Sequence, residues 1–430
     1  MSNNKNETHE NTIPEEDNNV LDDTCVVIAD NEISDVDIIE VSDEDIEVSN
    51  EDIEVSDGDI EVFDEELIID ETAIKKKKIK KLIIRGLRIL FTIGFFVFLL
   101  LFINEVLIQP YKLKKSIEKA KDLYQYEALV QEPDNILDNN EIAKDKNSVS
   151  QSNSIDNTTP TPTPDPNRDE MGRLRKFGNL LKVNEDVKGW IRLDNINGEN
   201  DSKIDYVVVQ SDASDPEYYL EKAWDTHDYL KAGSIFLDCS SSVESNSKNL
   251  VIHGHNMTSS DDMFHYLLEY NNLDFLKEHP IISFDTIYDE ALWKVFSVYI
   301  TPGNNDRDDF FPFVKSNFAS NRDFMEYIYQ IRVRSLFYMD DIDINDDDQI
   351  LTLSTCSYEL SNYRTIIVAR KVRAGEDSTV NTDNFEKKDA NDVLYAPSYY
   401  WRYGGKAPTI PTFDVALEDG LIPWYNPMGR

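Results

Sequence analysis

The sequence predicts a mainly β fold: an eight-stranded, mostly antiparallel barrel or sandwich with helices inserted between its strands. Three observations predict it. Eight short segments rich in β-branched and aromatic residues lie between residues 190 and 372, a composition typical of strands. Helical patterns interrupt them near 261–278 and 321–335, and an amphipathic helix precedes them at 171–183. One apolar run near the N-terminus predicts a membrane helix outside this domain.

The eight predicted strands are bounded by turn residues and are each five to nine residues long. In chain order they are WIRLD, IDYVVVQ, GSIFLD, NLVIHG, IISFD, WKVFSVYI, ILTLST and RTIIVARKV. Strands of this length with helices between them are typical of barrels and sandwiches.

The charge of the chain is strongly negative and unevenly spread. The 83 acidic and 43 basic residues give a net charge of −40, which excludes a nucleic-acid partner because phosphate contacts need clustered Lys and Arg. Residues 1–70 hold 26 acidic residues and one lysine. This composition predicts a disordered acidic tail over residues 1–74. Ile-Glu-Val recurs there every seven residues, which fits either a spacer or a repeated docking motif.

The membrane segment is predicted from an uncharged run of fifteen residues at 89–103. Apolar neighbours extend it to about 84–108, roughly the length that crosses a hydrocarbon core. Eight Lys and Arg precede the run at 75–88, and five Lys follow it at 109–125. The heavier basic flank predicts a cell-membrane protein that crosses the bilayer once, with a cytoplasmic N-terminus and an extracellular C-terminal part. The basic flank and the helix together make a segment at 75–108.

Four further segments follow the membrane helix. Residues 109–144 begin with helical periodicity and predict a stalk. Residues 145–168 have proline at alternate positions and predict an extended linker, which would act as a tether that gives the domain reach. The folded domain is predicted over 169–373. Residues 374–430 form a C-terminal extension that ends aromatic and Pro-rich, which fits packing over the barrel or a lid or docking arm.

Three residues at predicted strand ends could carry chemistry. Cys356 closes the strand ILTLSTC, and Arg364 opens the next strand eight residues later. If 357–363 form the connecting loop, both residues lie at the same end of neighbouring strands. His255 ends another predicted strand, NLVIHGH, after Gly254. Cysteine, histidine and arginine are the parts of a thiol acyl-transfer site, in which a guanidinium stabilises a thiolate and later an oxyanion.

Two further histidines offer a competing interpretation. His253 lies two residues before His255, so on a strand the two would share a face, and His-x-His also fits half of a metal site. His265 could be a third ligand. No thiolate or carboxylate is clearly placed beside them, so no metal is predicted.

Residues 184–372 resemble the class B sortases, the membrane-anchored cysteine transpeptidases of Gram-positive bacteria. The resemblance is carried by T-L-S-T-C with an arginine eight residues later, by G-H-N-M after a strand, and by NEDVKGWIRLDN and KAGSIFLD. It implies the sortase eight-stranded barrel. It also implies that His255, Cys356 and Arg364 are the catalytic residues, and that no cofactor or metal is needed.

The resemblance further implies a reaction and its partners. Cys356 would attack a carbonyl in the C-terminal sorting signal of a secreted protein, form a thioester, and pass the acyl group to an amine. The amine would come from a peptidoglycan precursor or a pilin. Two alternatives stay open: a thiol hydrolase of the same signal, and a non-catalytic membrane-anchored scaffold that binds proteins.

Overall fold

The computed structural model describes residues 71–124, 165–304 and 307–425. Of the predicted acidic tail, only its last four residues fall in these ranges, where they begin the first helix. The remainder of the tail, the stalk after Tyr124 and the Pro-rich linker as far as residue 164 lie outside the described residues.

Seven α-helices occur in the described part of the chain. They are α1 Glu71–Ile103, α2 Gln109–Leu123, α3 Gly178–Val183, α4 Leu273–Glu278, α5 Asn321–Arg334, α6 Pro397–Tyr403 and α7 Phe413–Glu418. A π-helical turn at Asn104–Ile108 joins α1 and α2 into one continuous helical segment. Short 3-10 helices lie at Arg175–Phe177, Tyr218–Glu221 and His265–Asn271.

Twelve strands occur in the same ranges, and eight of them form a closed barrel. The barrel strands are β1 Val187–Arg192, β2 Asp205–Val209, β3 Ile235–Leu237, β4 Asn249–His253, β7 Ile281–Thr286, β8 Leu292–Pro302, β10 Ile350–Ser357 and β11 Tyr363–Lys371. The other four strands form two small two-stranded sheets. They are β5 Asn256–Met257 with β6 Asp262–Met263, and β9 Phe337–Tyr338 with β12 Glu386–Lys387.

The strand order around the barrel is β1-β2-β3-β4-β10-β11-β8-β7. Strands β2 and β3 pair in parallel, as do β4 and β10, and the other six pairs are antiparallel. Each of the eight segments predicted from the sequence supplies one barrel strand, so the predicted fold class is confirmed. These strands form the core of the domain. Every residue of β8 after Leu292 is buried, and every residue of β10 except Cys356 is buried.

Two predicted helices are shorter than expected. The helix predicted at 171–183 begins only at Arg175 because the Asp169 carboxylate accepts hydrogen bonds from the backbone N–H groups of Met171 and Arg173, which forms a turn instead. The helical stretch predicted at 261–278 begins at His265, since the residues before it form the short strand β6.

The membrane segment is a helix whose apolar side chains are exposed along its length. Among the described residues, Lys75–Leu123 is the one helix that is long and apolar enough to cross a membrane. Large apolar side chains from Ile79 to Ile108 contact little else in the protein. Lipid is the environment that removes such a surface from water.

The second half of this helical segment lies on the barrel rather than standing away from it. Leu113 and Ala120 of α2 are buried, and Lys119 and Lys121 pair with Asp225 and Asp205 at 2.7 and 2.8 Å. Just after α2, the ring of Tyr124 stacks on Trp190, with centroids 4.2 Å apart. The chain therefore contacts the barrel before the Pro-rich linker begins, and the tether predicted there lies in residues outside the described ranges.

The C-terminal extension packs on the outer side of α5 and the following segment. Its buried apolar residues are Phe385, Val393, Phe413, Ala416, Ile422 and Trp424. The buried Arg332 guanidinium lies between the rings of Phe296 and Trp424, at 4.9 and 5.1 Å from their centroids. Packing over the barrel exterior thus accounts for most of the extension, but not for α6, none of whose seven described residues is buried.

Candidate active site

The register of the barrel brings Cys356 and Arg364 together. They lie directly opposite each other in the antiparallel pair β10–β11. Opposed residues of an antiparallel pair project from the same face of the sheet, so the thiol and the guanidinium lie on one side. Both side chains are partly exposed at this end of the barrel. The five-residue loop 358–362 joins the two strands one pair, Ser357 with Tyr363, beyond these two residues.

His255 lies at the same end, one strand further round the barrel. Strand β4 runs parallel to β10, with His253 level with Ser354. His255 and Cys356 each lie two residues beyond this last pair, and the charge of Arg364 acts on the imidazole of His255. The structure thus brings all three predicted residues to one site.

The strand argument that grouped His253 with His255 is wrong. Strand β4 ends at His253, so the alternation of strand faces does not extend to His255. The Nε2 atom of His253 lies 3.1 Å from a carboxylate oxygen of Asp238. His255 contacts a different segment, with its Nε2 2.9 Å from the Leu220 carbonyl oxygen.

The pKa of His255 is lowered from its ordinary value. Burial of the ring is the main cause, since it disfavours the charged imidazolium. The Leu220 carbonyl and the charge of Glu221 act in the opposite direction, and the charge of Arg364 lowers the pKa further. Because a carbonyl oxygen only accepts hydrogen bonds, the Nε2 atom of His255 carries the hydrogen, which leaves Nδ1 free to exchange a proton.

Gly254 explains why the chain can place His255 here. A Cβ atom at this position would lie 2.5 Å from Ile235 Cδ1 and 2.7 Å from Phe264 Cδ2, closer than side chains approach each other. The Thr355 hydroxyl donates to the Gly254 carbonyl at 2.9 Å, which ties the segment to β10 one residue before Cys356.

The sequence did not assign a role to Asn256, which holds the cysteine strand in place. Its Nδ2 atom donates to the Cys356 carbonyl at 3.0 Å, and its Oδ1 atom accepts from His265 Nδ1 at 2.7 Å. His265, weighed as a third metal ligand, is instead the partner that orients this amide. The signal was present, since Asn256 belongs to the G-H-N-M motif, but its partner cannot be read from spacing alone.

Comparison with known proteins identifies the class to which this barrel and site belong. A family model described as the sortase domain matches residues 200–372. The chain belongs to the sortase family, whose members are cysteine transpeptidases.

The relatives narrow the class to sortase B, as the sequence predicted. The chain is similar to the sortase B of Listeria monocytogenes, with 33% identity over 180 residues that cover 42% of this chain and 66% of that protein. Similarity to the Staphylococcus aureus sortase B is 26% over 200 residues, which cover 46% of this chain and 75% of that one. A solved structure of the Listeria enzyme is 31% identical and covers 44% of this chain and 97% of its own, with a TM-score of 0.38. Helices α2 and α6 lie outside the residues that the family model matches.

Proposed function

We propose that this chain cleaves the C-terminal sorting signal of secreted proteins and transfers the new acyl group to an amine. The observation that carries the proposal is the register that sets Cys356 opposite Arg364, with His255 just past the end of the neighbouring strand β4. Three groups of this kind at one barrel rim supply a nucleophile, an oxyanion donor and a proton carrier.

The first half of the reaction forms a thioester. His255 takes the thiol proton of Cys356, and the thiolate attacks the carbonyl of the residue before the cleaved bond. The Arg364 guanidinium donates hydrogen bonds to the oxygen that becomes negative. His255 then gives its proton to the nitrogen as the C–N bond breaks, so the C-terminal fragment leaves as an amine.

The second half releases the product. An amine from a peptidoglycan precursor or a pilin attacks the thioester carbonyl, and His255 accepts the proton that this nitrogen loses. The C–S bond breaks, an amide forms, and the Cys356 thiolate recovers its proton from His255. Atoms and protons balance over the cycle without a metal or an organic cofactor.

We further propose that the barrel lies outside the cell, against the outer face of the membrane. The eight basic residues before the apolar run favour a cytoplasmic N-terminus. At the other end of the run, Lys231 of the barrel domain contacts both Glu105 and Gln109. The barrel therefore meets the helix within one turn of the end of the apolar run, where translocated substrates and lipid-linked precursors are found.

The test is product analysis with the purified full chain and a peptide library of candidate sorting signals, with and without an amine acceptor. Transfer predicts a new amide product only when the acceptor is present, and Cys356→Ala is expected to give neither product while keeping the melting temperature of the wild type. Cleavage without transfer at any acceptor concentration would indicate the hydrolase instead. Binding without cleavage would indicate the scaffold.

A further inference from the structure

Helix α6 of the C-terminal extension contacts the loop that separates the cysteine from the arginine. The hydroxyl of Tyr403, the last residue of α6, donates a hydrogen bond to the carbonyl of Glu359 at 2.5 Å. Glu359 is three residues after Cys356, in the loop 358–362. A hydrogen bond to the second residue of a five-residue loop restricts how that loop can move.

The first turn of α6 contacts the other end of the same loop. The Ser398 hydroxyl is hydrogen bonded to the hydroxyl of Tyr363, the residue before Arg364. Tyr363 is buried and begins β11, so this contact fixes the point at which the strand leaves the loop.

Ser398 is itself held by an ion pair from the segment that follows β8. Asp309 accepts hydrogen bonds from both the backbone N–H and the hydroxyl of Ser398. Arg307 pairs with Asp309 at 2.9 Å and donates to the Ser398 hydroxyl at 2.8 Å. The hydrogen bond from Arg307 is the main reason that the pKa of Asp309 is lowered to about 2, so the carboxylate is charged at neutral pH.

The contacts of α6 are not those of a helix that fills a core. None of its residues is buried, and its attachment to the loop is made by hydroxyl groups. Apolar burial by the extension is supplied elsewhere, by residues such as Phe385, Phe413 and Trp424. Helix α6 is therefore kept against the loop by a packed extension on one side and by polar contacts on the other.

We propose that α6 is a positioning element of the active site, which holds the 358–362 loop and with it the end of the β10–β11 ladder that presents the Cys356 thiol and the Arg364 guanidinium. The proposal rests on the proposed function for its kinetic consequence, but its structural consequence can be measured without a substrate. Tyr403 and Ser398 are the positioning residues, and neither takes part in a chemical step.

The test compares Tyr403→Phe with Tyr329→Phe in the full chain. Tyr403→Phe removes only the hydroxyl that contacts the loop. Tyr329→Phe is a matched control, because it also removes one tyrosine hydroxyl that donates to a backbone carbonyl. The acceptor of Tyr329 is the Pro411 carbonyl at 3.0 Å, which belongs to the extension and not to the loop. A single hydrogen bond of this kind predicts a three- to tenfold effect.

Two measurements are made on each variant. Hydrogen–deuterium exchange of the peptide that contains 357–363, together with the rate at which iodoacetamide modifies Cys356, reports the loop without a substrate. The kcat and KM for a peptide that the wild type cleaves report the reaction. Tyr403→Phe is expected to speed exchange in the loop and to lower kcat three- to tenfold with KM within twofold, whereas Tyr329→Phe leaves both unchanged.

Ser398 provides the second pair of variants. Ser398→Ala removes the contact with Tyr363 and is expected to lower kcat in the same way, while Ser398→Thr keeps a hydroxyl and restores it. Exchange and kcat equal to the wild type in both Tyr403→Phe and Ser398→Ala would overturn the proposal. Should the wild type cleave no peptide at all, the proposed function fails, and the exchange and alkylation data still decide whether α6 holds the loop.

Discussion

The two helices that flank the barrel in the sequence attach to it by opposite means. Helix α2 buries Leu113 and Ala120 together with the polar Gln109 and Ser116, and adds lysine–carboxylate pairs at its edge. Helix α6 buries none of its residues and relies on hydroxyl hydrogen bonds. Apolar burial stabilises the fold in proportion to area, whereas a hydrogen bond mainly fixes geometry. The first attachment is expected to govern stability, and the second to govern the precision of the site.

Both helices nevertheless act on connections that lead to the proposed catalytic residues. Helix α2 contacts Trp224 and Asp225 in the connection from β2 to β3, and the same connection supplies the Leu220 carbonyl that holds His255. Helix α6 contacts the connection from β10 to β11. The barrel register pairs Cys356 with Arg364, and the connections hold His255 and the loop that follows Cys356. Supports from outside the matched family domain hold those connections on both sides.

The largest effect is expected from Gly233→Ala, which disturbs the connection from β2 to β3 that holds His255. Gly233 has φ +57, and a Cβ atom there would lie 2.0 Å from the Leu220 carbonyl oxygen. The carbonyl must move and take its hydrogen bond to His255 with it. We expect kcat/KM to fall by about 10²-fold, the scale of losing a general acid or base, together with a lower melting temperature.

Gly198→Ala is the matched control for this substitution. Gly198 also has a positive φ, +80, but a Cβ atom there would meet nothing within 4 Å. It should lose about 1 kcal/mol of stability from backbone strain alone and keep its activity. An equal loss of activity in both variants would show that strain, rather than the Leu220 carbonyl, is responsible.

The next largest effect is expected on the pKa of His255, when a charged residue near it is replaced. Two charged residues near His255 act on its pKa in opposite directions. Glu221, in the connection that α2 contacts, raises the pKa. Arg364, which follows the loop that α6 contacts, lowers it. Glu221→Gln is therefore expected to lower the pKa of His255, and Arg364→Met to raise it. An NMR titration of the imidazole, assigned by its absence in His255→Ala, measures both shifts, and shifts in the same direction would contradict this geometry.

The sign of the pH dependence of stability follows from the same pKa. Burial lowers the pKa of His255 below its value of 6.5 in an unfolded chain, so the folded state favours the neutral ring. This contribution is fully present above pH 6.5 and is lost as the pH falls below that value, because the unfolded chain then binds the proton more readily. His255→Gln should flatten that part of the stability curve.

The smallest effect is expected from Lys119→Met on α2. The ion pair with Asp225 joins a side chain that is 41% exposed to one that is 8% exposed. Pairs with an exposed partner contribute less than about 1 kcal/mol, and methionine keeps the apolar stem of the lysine. Chemical denaturation should show a change below about 1 kcal/mol, with kcat unchanged, since Ser116 still contacts Asp225.

The barrel could be predicted from the sequence because its signal is local. Seven of the eight barrel strands bury most of their residues, so a run of β-branched and aromatic side chains is enough to reveal them. The pairing of Cys356 with Arg364 followed from the same kind of evidence, since a short loop between two antiparallel strands fixes which residues oppose each other. His255 was placed correctly at the rim, although through a strand that ends two residues before it.

The contacts that α2, α6 and Asn256 make could not be predicted, because the residues that meet are far apart in the sequence. Helix α2 docks through contacts more than one hundred residues away in sequence, such as Lys119 with Asp225. The position of α6 depends on Ser398 meeting Asp309 and Tyr363, which no spacing reveals. The role of Asn256 likewise depends on a contact with the backbone of Cys356, one hundred residues away. Long-range polar contacts carry no periodicity, and they are what positions this site.

The central claim is that Cys356 forms the covalent intermediate, and mass spectrometry of the digested protein tests it most directly. The wild-type full chain is incubated with the peptide library, quenched in acid and digested for peptide mapping. The account predicts an acyl adduct on the peptide that contains Cys356, which hydroxylamine removes and which Cys356→Ala lacks. An adduct that maps to Cys239, or one that persists in Cys356→Ala, would contradict it.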